Sequence, residues 1–191
     1  MKLMQAIFTY LFFTFSGSFL VYAEKNNSIY FSGEQWRVKA DSAQIVSYRG
    51  KQNVLKLDKG LVYFDGAEFV NGVIEFDISF KEQRQFVGIN FRGENDGNYE
   101  HFYFRPHQSG NPDATQYTPV FNDVSAWQLY FGKGYSKKIN HKFNEWQHVK
   151  LVIEDNNMAV FVEDMKIPFM ESILKRDKQK GFVSLNASGF K

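Results

Sequence analysis

The chain contains no cysteine and only four prolines in 191 residues, and neither charge sign is in surplus: 23 Lys and Arg stand against 21 Asp and Glu. The missing cysteine excludes a disulfide scaffold, a thiolate metal site, a CxxC redox centre and a cysteine nucleophile. A formal charge of +2 with no basic cluster argues against nucleic acid, which must be met with concentrated Lys and Arg. Aromatic residues are plentiful, at 18% of the chain. The length suits one domain with a substantial core.

Long apolar runs are also missing, except at the start. Lys2 is followed by an uncharged stretch, Ala6 to Tyr22, dominated by Phe8, Leu11, Phe12, Phe13, Phe15, Phe19, Leu20 and Val21. It ends Val21-Tyr22-Ala23 and turns polar at Glu24-Lys25-Asn26-Asn27. Residues 1–23 therefore read as a secretory signal peptide, and residues 24–191 as a secreted or periplasmic domain. An uncleaved anchor helix is the rival, since about 20 apolar residues can cross a bilayer. No second segment of that kind follows, so no membrane association is expected after cleavage. The oligomeric state is left open.

The rest alternates with a period of two, as pleated strands do. Ile74, Phe76, Ile78 and Phe80 fall on one face of a strand, with Glu75, Asp77 and Ser79 on the other. Val87, Ile89 and Phe91 oppose Gly88, Asn90 and Arg92. Phe102 and Phe104 oppose Tyr99, Tyr103 and Arg105, and the same alternation groups Glu100 with the two phenylalanines. Further strands are expected over 35–39, 44–48, 53–57, 61–64, 126–131, 146–154 and 158–163, with a helical turn or two over 172–178. Ten or eleven short strands indicate an all-β sandwich or barrel. Between Arg105 and Ala126 the alternation stops, and Pro106, Pro112 and Pro119 fall there. This segment reads as a long ordered loop, the kind that carries function.

Three segments are similar to the concanavalin A-like lectin/glucanase superfamily. They are Phe69-Val70-Asn71-Gly72-Val73-Ile74-Glu75-Phe76-Asp77-Ile78, Phe86 to Arg92, and Trp146 to Val152 with the strand after it, which resembles a laminin-G-like hairpin. The run Tyr99 to Tyr117 with Ser125 to Tyr130 looks like uncharacterised secreted bacterial members of the superfamily. The resemblance implies a two-sheet antiparallel jelly-roll β-sandwich over residues 24–191. It also implies a closing strand after Gly181 to Ala187, so that either the sandwich leaves an edge open or the sequence is a shortened version.

The resemblance puts Glu75 and Asp77 forward as catalytic candidates. Family-16 glycoside hydrolases of this superfamily use E-x-D-x-x-E on the concave sheet, whereas Phe80 stands in place of the second Glu here. Retaining hydrolysis needs two carboxyls about 5–5.5 Å apart, so hydrogen-bonded strand carboxylates are the favoured reading. His107, in the long loop, is more simply a local brace than a base. His101, His107, His141 and His148 lack zinc-site spacing. Asp65, Asp113, Asn122 and Asp123 are oxygen donors of the type calcium takes, at no diagnostic spacing. No cofactor is expected, calcium being the one candidate.

Sugars present an apolar face and a rim of hydroxyls, which aromatic platforms and amide or charged groups suit. Tyr103, Trp127 and Tyr130 offer the platforms. Asn90, Arg92, Arg105, His107, Gln108, Asp113, Gln116, Asn122 and Gln128 offer the polar groups. The expected function is a non-catalytic carbohydrate-binding module, with its polysaccharide on the concave sheet (Glu75, Asp77, Asn90, Arg92, Tyr103) under the 105–125 loop. A glycoside hydrolase, and an envelope protein binding a partner by strand addition, are the alternatives.

Overall fold

A computed structural model describes residues 4–8 and 28–189. Apart from Met4–Phe8, the expected signal peptide lies outside the described residues. The described residues form fourteen strands and no α-helix: β1 (Met4–Phe8), β2 (Ser28–Phe31), β3 (Glu34–Tyr48), β4 (Lys51–Phe64), β5 (Gly72–Phe80), β6 (Gln85–Asn95), β7 (Asn98–Phe104), β8 (Thr115–Phe121), β9 (Val124–Ser125), β10 (Ser136–Lys137), β11 (Gln147–Glu154), β12 (Asn157–Val162), β13 (Met170–Ile173) and β14 (Phe182–Gly189). Two 3-10 turns, Pro106–Gln108 and Trp127–Leu129, interrupt them.

The strands make two layers. The front layer runs β10-β8-β7-β6-β14 and continues into the second half of β4; the back layer runs from the first half of β4 through β1, β5, β11 and β12 to β13. β4 belongs to both, pairing with β14 over Gly60–Tyr63 and with β1 at Leu55 and Lys56. Gly60 makes the passage possible. Its φ is +140°, and a Cβ there would sit 2.3 Å from the Lys39 carbonyl oxygen, so no side chain fits.

Alternation decides which residues the layers share. Phe76, Ile78 and Phe80 of β5 meet Val87, Ile89 and Phe91 of β6, Phe102 and Phe104 of β7, Leu185 of β14, and Val149 and Leu151 of β11 in one buried cluster. Burying each such side chain is worth about 1.5–3 kcal/mol. That stake fixes register, since a one-residue slip would turn the whole set outward.

Several sequence expectations change. The short strands expected at 35–39 and 44–48, and at 53–57 and 61–64, are two long continuous ones, β3 and β4. Residues 126–131 hold a 3-10 turn rather than a strand. The 105–126 segment is only partly loop, because Thr115–Phe121 is β8, its side chains buried up to Val120. Pro119 is tolerated there because β8 has its full partner, β7, on one side only; β10 and β9 cover its ends. Residues 172–178 form no helical turn. The last described strand, β14, lies inside the front layer between β6 and β4.

Arg92 departs furthest from its expected place. It has φ +50° where the β6 pairings shift register, and this bulge breaks the alternation. The side chain is fully buried. Its guanidinium donates to the Val70 carbonyl (2.7 Å), Asn71 Oδ1 (2.9 Å) and the Asp155 carbonyl (2.5 Å). It therefore ties the front layer to the segment before β5 and to the β11–β12 turn, as a structural brace and not a ligand contact. Arg92→Leu would leave these acceptors unpaired. The expected loss is about 3 kcal/mol, or a melting temperature about 10 °C lower, as calorimetry of the variant checks.

Candidate functional site

The outer face of the front layer is where the polar and aromatic residues converge. On β7 the residues that do not enter the core are Tyr99, His101 and Tyr103, spaced i, i+2 and i+4, so their rings form a stripe. His101 stacks on Tyr103 with centroids 4.4 Å apart and planes 24° from parallel, and Tyr99 meets His101 at 6.1 Å. Beside the stripe lie Asn90 of β6 and Asn186 and Ser188 of β14. Together with Arg84, Phe86, Arg105, Ser125, Trp127 and the β4 bend at Lys59–Leu61, they line a cleft of about 730 Å³.

Each polar group in this wall has a position set by its neighbours. His101 Nε2 pairs with Asn186 Oδ1 at 3.2 Å. Burial pushes the imidazole down to about 4, against a weaker opposing effect of the Asn186 bond, so the ring is neutral near pH 7. Asn90 donates from Nδ2 to Ser184 Oγ at 3.1 Å, while its Oδ1 is buried with no protein partner among the described residues. A buried acceptor of this kind at a cleft floor suits a ligand donor. The Tyr103 hydroxyl donates to Gln116 Oε1 at 2.8 Å; burial holds its pKa well above the ordinary tyrosine value.

The rim is built by side chains behind it. Gln116 is fully buried and donates from Nε2 to the carbonyls of Trp127 (2.8 Å) and Tyr130 (2.6 Å). These bonds fix the 3-10 turn that presents Trp127, a residue 41% exposed. Arg105 pairs with Asp113, and its guanidinium lies 5.2 Å from the Trp127 ring centroid and 5.6 Å from that of Phe86. Such a cation–π contact holds a ring flat against its neighbour.

Of the candidates named from the sequence, the structure brings Asn90, Tyr103, Arg105 and Trp127 together at the cleft, with Asp113 and Gln116 behind them. The other candidates stand elsewhere. His107 packs edge-on against Phe86 at 5.2 Å, and Gln108 accepts a bond from Asn111. Asn122 lies in the β8–β9 turn against Asn98, Gln128 is exposed outside the cleft, and Tyr130 packs on Tyr135. The oxygen donors named for calcium have different neighbours: Asp65 faces Arg37 and Asp113 holds Arg105. Among the described residues no group of three or more His, Asp or Glu side chains could hold a metal ion.

Glu75 and Asp77 are on the opposite side of the sandwich. They project from β5, in the back layer, while Phe76 and Ile78 between and beyond them enter the core. His148 of β11 sits between the two carboxylates, with Nε2 2.8 Å from Glu75 Oε1 and Nδ1 2.7 Å from Asp77 Oδ1. Lys51 reaches Asp77 at 2.5 Å. This is a closed ion-pair network, and Phe80, at the position of the motif's second Glu, is core. Glu100 is also unavailable: it faces inward, accepting from the Tyr117 hydroxyl and the Arg176 amide.

The cleft residues missed in the sequence include Tyr99, His101, Asn186 and Ser188, besides Arg84, Phe86, Ser125 and the β4 bend. Alternation through Tyr103 identifies the first two. The β14 residues carry no local sign, because their approach to β7 depends on pairing about 85 residues apart in sequence.

No protein-family model and no curated protein sequence matches the chain. Its architecture does match solved structures. A carbohydrate-binding module, CBM66 from Bacillus subtilis, superposes with a TM-score of 0.57 at 13% identity, over 81% of this chain and 87% of that one. A native glycosidic hydrolase superposes with a TM-score of 0.50 at 10% identity, over 87% of this chain and 69% of that one. The chain shares with them a two-layer jelly-roll β-sandwich fold. Identities this low establish the fold and nothing finer.

The two outer faces make opposite titration predictions. His101, desolvated beside neutral partners, should titrate near pH 4. His148 loses some charge stability to burial, but the bonds and charges of Asp77 and Glu75 outweigh that and raise it above the ordinary value. Between pH 6.5 and 4 the unfolded chain takes up a proton at residue 101 that the folded chain refuses, so this site costs stability as pH falls. The full span corresponds to about 3 kcal/mol at most. Proton NMR titration of the four imidazoles checks both assignments.

Proposed function

We propose that the chain is a secreted, non-catalytic carbohydrate-binding module whose glycan lies in the front-layer cleft against Trp127. One observation carries the reading. The cleft combines a stripe of three rings, a partly exposed indole and the amides of Asn90 and Asn186, while none of its described lining residues is a carboxylate. Rings take the C–H face of a pyranose or furanose, and planar amides take hydroxyl pairs. The likeness to a carbohydrate-binding module supports this reading, and the apolar leader with its Val21-Tyr22-Ala23 exit supports secretion.

Hydrolysis by a carboxylate pair has little to work with. The only pair nominated, Glu75 and Asp77, is engaged by His148 and Lys51 on the far face, and a glycan in the cleft cannot reach it through the core.

Isothermal titration against a panel of soluble polysaccharides, with and without calcium, tests the proposal. Binding of at least one polysaccharide is expected, with no new reducing ends after long incubation. Trp127→Ala should weaken it about thirtyfold, the loss of roughly 2 kcal/mol typical of a central aromatic contact. No binding to any member of the panel, or equal affinity in the variant, refutes the assignment.

A further inference from the structure

Strand register collects positive charge at one end of the front-layer cleft. Phe86 pairs with Ser188, and the pairing of Val87 with Phe104 sets Arg105 level with Phe86. Ala187 pairs with Gly60, so Lys59 stands level with Ser188. Lys59, Ser188, Phe86 and Arg105 thus form one row across β4, β14, β6 and the end of β7. Arg84 precedes Phe86 by two residues and shares its face. All three cations line the cleft, and none of its described lining residues is a carboxylate. The acids that act on the aromatic stripe, Asp123 and Asp96, do so at Tyr99. Tyr99 is six residues back along the chain from Arg105, or about 20 Å in an extended strand.

The carboxylates paired with these cations do not cancel them. Asp41 is 3.8 Å from Lys59, and solvent reaches both side chains, so that contact is weak and an incoming anion can replace it. Asp113 holds Arg105 but is not part of the cleft wall. Arg105 itself is only 7% exposed, and its Nε is buried without a partner among the described residues. That leaves a charged donor unsatisfied in the wall. Burial, and after it the charges of Arg105 and Arg84, hold the His107 imidazole below its ordinary value. Both guanidiniums therefore act on one small region.

We propose that the ligand of this cleft is an acidic polysaccharide, with the carboxylate or sulfate of one sugar held at the end formed by Arg84, Arg105 and Lys59. This assignment rests on the carbohydrate reading and adds the ligand's charge and direction. The Arg105 guanidinium is 5.2 Å from the Trp127 ring centroid, so a sugar lying on the indole brings a substituent on its rim to the guanidinium. A planar guanidinium takes a carboxylate or sulfate in paired, charge-assisted bonds that a hydroxyl cannot match. Toward Tyr99 the wall is uncharged: His101 is neutral near pH 7, and Asn90 and Asn186 offer amides. Neutral sugars of the same chain fit that end.

Titration calorimetry with polymers matched except for charge tests this. One pair is half-esterified pectin against fully methyl-esterified pectin; the other is carrageenan against its desulfated backbone. In at least one pair the acidic member should bind about tenfold more tightly, and the pair that shows the preference tells carboxylate from sulfate. Raising NaCl from about 50 to about 500 mM should weaken the acidic member about tenfold. Polyglutamate, which has the charge without the sugar ring, should bind about tenfold more weakly than the acidic polysaccharide. Arg84→Gln combined with Lys59→Gln should cut the acidic-to-neutral affinity ratio about fivefold. If the neutral member of every pair binds as tightly as the acidic one, the proposal is overturned and the carbohydrate reading stands. If no polymer of either pair binds, both fall. Polyglutamate bound as tightly as the acidic polysaccharide, an affinity indifferent to salt, or a ratio unmoved in the double variant also overturns the proposal.

Discussion

The carboxamide of Gln116 holds the cleft together. Buried between β7 and the segment after β9, it takes the Tyr103 hydroxyl on its oxygen and gives both N–H groups to the carbonyls of Trp127 and Tyr130. A buried amide with all these bonds made is rigid, since releasing any one leaves a desolvated polar group behind. Through it, a ring on the cleft floor and the indole on the rim are set relative to one another before any ligand arrives. Affinity for a weakly binding polymer depends on that preparation, because ordering a loose rim on binding would consume much of the contact energy.

The pleat then assigns roles. Each strand of the sandwich gives alternate residues to the core and keeps the rest for one outer face. On β7 that rule yields a stripe of aromatic rings, and on β5 it yields two carboxylates. The faces are separated by the full thickness of the core, so the rings and the acids belong to different surfaces. The histidines follow the same division: His101 is desolvated and neutral among rings and amides, and His148 is charge-favoured between Glu75 and Asp77.

Much of this was legible in the sequence. Strict alternation over 73–80, 86–92 and 99–105 places the core residues correctly, and it grouped Glu100 inward with Phe102 and Phe104. It failed at Arg92, because a bulge with φ +50° turned a residue that the period assigns outward. It also failed at Glu75 and Asp77, because period two says which face of a strand a residue takes but not which layer the strand joins. β8 was read as loop because Pro119 and its polar threonines and glutamine mask a strand that is buried for other reasons: Gln116 holds the rim, and Tyr117 bonds Glu100. Long-range partners such as Asn186 leave no local trace at all.

The central claim is that the glycan occupies the β7–β14 face and not the carboxylate face. The most direct measurement is a two-dimensional NMR titration of the protein with a polysaccharide that binds it, following backbone amides and the indole N–H groups. The account predicts that the largest shifts fall on Asn90, Tyr99, His101, Tyr103, Asn186 and the Trp127 indole, with Glu75, Asp77 and His148 unmoved. Shifts centred on Glu75, Asp77 and His148, with the Trp127 indole unchanged, would contradict it.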